Sequence, residues 1–221
     1  MAKNIYIIDY GMGNIRSVFK AFEFVNREKD FNFNIKVAQS SKEIKDPTLL
    51  VIPGVGAFKD AVKNLKKKGL WEKILEEKEK GHFIFGICLG FHLLFERSYE
   101  FGLEKGFGFI KGRIVKFKLP KAYKIPHMGW NQILKLDKNI KAQPFGIYKN
   151  IDSGEYVYFV HSYYPKNVEH KAILTLTDYY ITFVSSVQKD NVFGTQFHPE
   201  KSQKVGLKIL ENVLRGILYV F

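Results

Sequence analysis

"FIFGICLG", residues 83–90, is a short apolar run that ends on a glycine-flanked cysteine, Cys88, the only cysteine in the chain. Four residues beyond it stands His92, inside the otherwise apolar continuation "FHLLF". A run of this length bounded by glycine reads as a buried strand, and the segment from Leu89 onward reads as a helix. The pattern Gly86-x-Cys88-x-Gly90 matches a strand-to-helix elbow, because small residues two places before and after the central one permit a sharp turn. Such an elbow lifts its central side chain to the carboxyl edge of a parallel sheet, where α/β folds place their sites. A lone cysteine is more often a buried, inert residue, so the elbow needs support from the rest of the chain.

Working outward, "NIYIID" (4–9), "NIKVA" (34–38) and "LLVIP" (49–53) repeat the short apolar pattern. Between them Ile15, Val18, Phe19 and Phe22 fall at helical spacing, and helical segments run from about Phe58 to Lys80. Strands alternating with helices predict a parallel sheet covered on both faces. After about Gly106 the character changes. "GRIVKFKL", "EYVYFVHSYY", "KAILTLT", "YYITFVSSVQ" and "NVFGTQF" are β-rich, and a last helix is expected over roughly Gln203 to Leu218. The expected fold is α/β, a mostly parallel central sheet flanked by helices with an antiparallel β addition in the C-terminal half. One domain is expected over residues 1–221.

Composition narrows the function classes. The net charge of +13 comes mostly from lysines scattered along the chain, often interleaved with glutamate as in "LKKKGLWEKILEEKEKG". No arginine-rich tract or nucleic-acid module accompanies them, so no nucleic-acid partner is expected. No apolar run approaches the roughly 20 residues that span a bilayer, and "MAKNIYIIDYG" has no secretory pattern. A single cysteine forms no internal disulfide, which agrees with a reducing cytoplasm. The histidines are dispersed and no second cysteine is present, so neither a metal nor another cofactor is expected. His82 and His170 read as solvated, and His127 as structural.

A nucleophilic cysteine needs a base, and the base needs an orienting partner. His92 shares the helix below the elbow, whereas an elbow nucleophile points away from that helix. "GTQFHPEKS" (194–202) offers a better pair. Pro199 pushes His198 towards extended geometry, and in an extended chain residues i and i+2 project to one side. Glu200 is therefore placed to reach the His198 ring, giving a Cys88–His198–Glu200 triad. The amide of Leu89 is a candidate oxyanion donor. The glycine-rich "PGVG" (53–56), after a neighbouring parallel strand, lets backbone approach a substrate closely.

"GICLG" followed far along the chain by "FHPEKS" resembles the class I (triad) glutamine amidotransferases. "IIDYGMGN", "PGVGAF", "PHMGWN", "YFVHSYY" and "GTQFHPEKS", in that order over nearly the full chain, resemble the glutaminase subunits of two-chain imidazole glycerol phosphate synthases. The resemblance implies that Cys88 attacks the carboxamide of L-glutamine, with Gly54, Val55, Gly56 and Leu89 forming the oxyanion hole. It implies that the backbone of His161, Ser162 and Tyr163 and the side chain of Glu100 hold the amino-acid end of glutamine. Ammonia would pass to a separate (β/α)8-barrel cyclase, with Asn14, Tyr158 and Lys201 near that interface. At His92 the family usually has glutamine, which helps bind the substrate. Histidine has one fewer hydrogen-bonding group when neutral and titrates near neutrality. This departure leaves open a paralogous glutaminase serving another synthase, such as one amidating a surface sugar. A silent binding subunit on the same fold is the alternative from another class.

Overall fold

The computed structural model describes residues 3–141, 143 and 146–218. Its first half runs β1 (Asn4–Ile8), α1 (Ile15–Glu28), β2 (Asn34–Ala38), β3 (Pro47–Ile52), α2 (Phe58–Lys67), α3 (Leu70–Glu79), β4 (Phe83–Ile87) and α4 (Leu89–Leu93). There follow β5 (Phe95–Ser98), β6 (Glu104–Lys105), β7 (Ile110–Lys116), β8 (His127–Gln132), β9 (Leu134–Lys135) and α5 (Asp137–Lys141). The chain continues through β10 (Tyr156–His161), β11 (Tyr163–Lys166), β12 (Ile173–Tyr179), β13 (Ile181–Lys189) and β14 (Val192–Thr195) to α6 (Gln203–Leu218).

The main sheet has the order β2-β1-β3-β4-β14-β13-β12-β9. Pairing is parallel from β2 through β14 and antiparallel from β14 to β9. Every residue of β3 and β4 is buried. That is why these strands show continuous apolar runs and not alternation: helices cover both faces. Val18, Ala21, Phe22 and Val25 of α1 lie on one side with Leu210 and Leu214 of α6. Leu65 of α2, Ile74 of α3 and Phe91 of α4 lie on the other. Among the described residues two smaller sheets, β11-β7-β5-β6 and β10-β8, accompany it.

Three sequence expectations change in detail. The β-rich "NVFGTQF" reads as part of the antiparallel addition, but β14 is the fifth parallel strand, beside β4. Its burial on all four residues is what a central strand requires. "EYVYFVHSYY" divides at Ser162, so β10 joins β8 and β11 joins β7. The helix after Cys88 lasts only from Leu89 to Leu93 before the chain extends into β5.

Candidate active site

The elbow is built by steric exclusion. Cys88 has φ 54° and ψ −103°, a conformation that costs a non-glycine residue about 1–3 kcal/mol and persists only where its surroundings enforce it. A Cβ on Gly86 would sit 2.5 Å from the Gly90 carbonyl oxygen, and one on Gly90 only 1.6 Å from that of Ile52. Neither position has room for a side chain. The Cys88 amide donates to the Thr195 carbonyl at 2.8 Å, which ties the elbow to β14.

That tie brings in the second half of the site. Gly194 stands opposite Gly86 and Thr195 opposite Ile87, so both chains leave the sheet at the same carboxyl edge. Three residues later His198 adopts extended geometry (φ −98°, ψ 97°) ahead of a turn over Pro199–Lys201. Its Nδ1 lies 2.8 Å from Glu200 Oε1, and both side chains are buried. A carboxylate on Nδ1 fixes the tautomer there and leaves Nε2 for chemistry. Nε2 is buried, and the ring meets the Cys88 side chain both as a neighbouring charge and as a hydrogen-bond partner. Burial alone would lower the His198 pKa. Negative charge on Cys88 and the contact with Glu200 outweigh it and push the value up to about 10. The ring therefore favours the imidazolium form.

Cys88 opens into a cavity of about 570 Å³, whose walls include Val55, Gly56, Leu89, His92, Glu100, His161, Ser162 and Tyr163. Gly54, His198 and Glu200 border a separate small cleft together with Asn14 and Lys201, and Val55 touches both spaces. Tyr158 lies outside them, with the Lys201 ammonium 5.8 Å from its ring centre. The expected residues thus divide between the cavity that Cys88 lines and the cleft that His198 lines.

Glu100 accepts the Phe58 amide at 2.9 Å. Burial pushes its carboxyl pKa up, partly offset by that hydrogen bond. Lys116 lies on the same cavity wall. A carboxylate and an ammonium together suit a small zwitterion. Lys116 carries no signal in the sequence, because it sits in an ordinary alternating strand with no motif around it.

His92 is held at Nε2 by Gln196 Oε1 at 2.7 Å. Burial, opposed by the contacts with Gln196 and the Tyr163 backbone, lowers its pKa to about 4, so it does not charge near neutrality. His127 and His161 form a directed chain. His161 Nδ1 donates to the Tyr163 carbonyl at 2.8 Å, which makes its Nε2 the acceptor from His127 Nδ1 at 3.0 Å. Asn131 then donates to His127 Nε2 at 3.2 Å. Burial lowers the pKa of His127 to about 4 and that of His161 well below the usual value. His127, read from sequence as structural, holds a wall of the cavity through this chain. His82, read as solvated, instead contacts the buried Glu77 at 2.6 Å.

The expected oxyanion donor is engaged elsewhere: the Leu89 amide donates to the Gly54 carbonyl at 3.3 Å. No group of histidine, cysteine and acidic side chains able to hold a metal occurs among the described residues.

An elbow cysteine and a carboxylate-held histidine meet at adjacent strand ends of this sheet, beside a cavity. Residues 6–217 match the model of the glutamine amidotransferase class-I family, and the chain belongs to it. Its relatives are more particular. It is 48% identical over 209 residues, 94% of this chain and 96% of the relative, to imidazole glycerol phosphate synthase subunit HisH of Caldanaerobacter subterraneus subsp. tengcongensis. It is 47% identical over 210 residues, 95% of each, to the same subunit of Aquifex aeolicus. Among solved structures, a glutamine amidotransferase aligns over 96% of this chain and 98% of its own, at TM-score 0.70 and 13% identity. PurLQS of Thermotoga maritima aligns over 99% and 98%, at TM-score 0.68 and 19% identity. At those identities the likeness concerns the fold.

Proposed function

We infer that this chain is the glutaminase subunit of a two-chain imidazole glycerol phosphate synthase, working as one unit over residues 1–221 in the cytoplasm. The single observation that carries the reading is the meeting of the Cys88 elbow and the His198–Glu200 pair at adjacent strand ends, in a chain 48% identical to a HisH subunit.

The Cys88 thiolate attacks the side-chain carboxamide carbon of L-glutamine. As the tetrahedral intermediate collapses, the C–N bond breaks and His198 gives its Nε2 proton to the leaving nitrogen, releasing ammonia and a thioester. His198, now neutral, takes a proton from water as that water attacks the thioester. Glutamate leaves and the thiolate–imidazolium pair is restored. Glu200 keeps the ring oriented and stabilises its charged form. Glu100 and Lys116 meet the α-ammonium and α-carboxylate of glutamine, beside the backbone of His161, Ser162 and Tyr163. His92 borders the reacting end with a neutral ring held by Gln196.

The oxyanion requires the Leu89 amide and a backbone amide of Gly54–Val55–Gly56. Because Leu89 is engaged with Gly54, the isolated chain is a slow glutaminase until its partner rearranges this loop. The partner is a (β/α)8-barrel cyclase that consumes the ammonia. Asn14 and Lys201, on the His198 side of the site, with Tyr158 beside Lys201, mark the face on which it sits. Met128, Trp130 and Tyr156 extend that face with exposed apolar surface. Co-purification tests this directly: a tagged barrel cyclase retains this chain in a one-to-one complex, and failure to retain it would remove the barrel partner from the account.

A further inference from the structure

Tyr10, in the segment "IIDYGMGN", is fully buried at the site and takes no part in the steps above. Its phenolic oxygen is also buried and has no hydrogen-bond partner. Leaving a buried hydroxyl unpaired costs about 1–3 kcal/mol, so the group calls for an explanation. Its neighbour is the oxyanion loop. A Cβ on Gly54 would lie 2.0 Å from the Tyr10 oxygen, and one on Gly13 would lie 3.0 Å from the Gly54 Cα. Gly54 is thus confined between the phenol and the Gly13 backbone, and any side chain there would displace the hydroxyl.

The carbonyl of Gly54 supplies the missing half. It now accepts the Leu89 amide at 3.3 Å. Once that amide turns to the developing oxyanion, the buried Gly54 carbonyl loses its donor, and losing a buried hydrogen bond carries the same kind of penalty. The phenol is an unpaired donor already packed against this residue.

We propose that Tyr10 is a positioning residue of the glutaminase: its hydroxyl takes over the Gly54 carbonyl when the Leu89 amide is released to the oxyanion. The loop then exchanges one hydrogen bond for another, and no proton is transferred. The hydroxyl stays protonated throughout the working range, because burial, and after it the negative charge on Cys88, raise its pKa far above the ordinary tyrosine value. The proposal rests on the reading of this chain as a glutaminase with a barrel partner.

Tyr10→Phe fills the same space without the hydroxyl. In the assembled two-chain enzyme with acceptor present, kcat for glutamate release falls about tenfold, while KM for glutamine stays within about twofold. The thermal midpoint is unchanged or slightly raised, since an unpaired buried hydroxyl is gone. The pH dependence of Cys88 alkylation by iodoacetamide is also unchanged. A wild-type kcat in the variant would overturn the proposal. So would a shifted alkylation profile, which would put the hydroxyl to work on the thiol. If the wild-type complex itself releases no glutamate, the functional reading falls and this proposal with it. An active wild type with an equally active variant removes the Tyr10 role alone.

Discussion

His198 and His92 lie near the same cysteine, yet their surroundings move them in opposite directions. His198 is raised to about 10 by charge on Cys88 and contact with Glu200, against the effect of burial. Replacing Glu200 with glutamine removes one of those contributions. The alkaline limb of the glutaminase pH profile then moves to lower pH, and kcat falls by about 10- to 100-fold; an unmoved limb would mean that Glu200 does not hold the base. His92 behaves as a buried neutral base, lowered to about 4. Above pH 6.5 it is neutral whether the chain is folded or not. Between 6.5 and 4 the unfolded chain binds a proton that the folded chain refuses, so stability is lost as pH falls through that window. At pH 5 the loss from this residue is about 2 kcal/mol. In His92→Gln the drop in unfolding free energy from pH 7 to pH 5 shrinks by about that amount, as urea titrations at the two pH values would show. An undiminished drop would mean that His92 is already charged in the fold. The family resemblance, which implies glutamine at this position, singles out His92 in the sequence. It did not show the titration, because that depends on Gln196 and on burial, which are set by chain elements far from residue 92.

At the scale of elements, β4 with its elbow was legible because its constraints are local: apolar residues at 83–87 and glycines on either side of Cys88. Gly90→Ala puts a methyl group against the Ile52 carbonyl and lowers unfolding free energy by about 2–4 kcal/mol. A stability within about 0.5 kcal/mol of wild type would show that the elbow tolerates a side chain there. The His198–Glu200 pair was legible for a similar reason, since proline and two-residue spacing act locally. The place of β14 was not. Four apolar and small residues read equally well as a hairpin strand, and only pairing with β4 decides between parallel and antiparallel. The division of "EYVYFVHSYY" at Ser162 was hidden likewise, because β8 and β7 compete for the two halves. Lys116 and Tyr10 do not stand out in the sequence for a related reason: what distinguishes them is what they face across the fold.

At the scale of the whole molecule, Cys88 lines the larger cavity, whereas Asn14, Lys201, His198 and Glu200 border a separate small cleft. Trp130, 46% exposed, stands next to Tyr158 with ring centres 6.1 Å apart, and exposed aromatics of this kind carry much of the energy of protein interfaces. Trp130→Ala therefore weakens binding to the barrel cyclase about tenfold, or about 1.4 kcal/mol, by titration calorimetry; equal affinity would move the interface elsewhere. No helix among the described residues is long and apolar enough to cross a membrane. The most direct measurement is glutamate release with this chain alone, with the barrel cyclase, and with cyclase plus its nucleotide acceptor, each repeated with Cys88→Ala. The expected result is slow release alone, strong stimulation only when partner and acceptor are both present, and no release above background from the variant. Equal rates for wild type and variant, or full activity in the isolated chain, would contradict it.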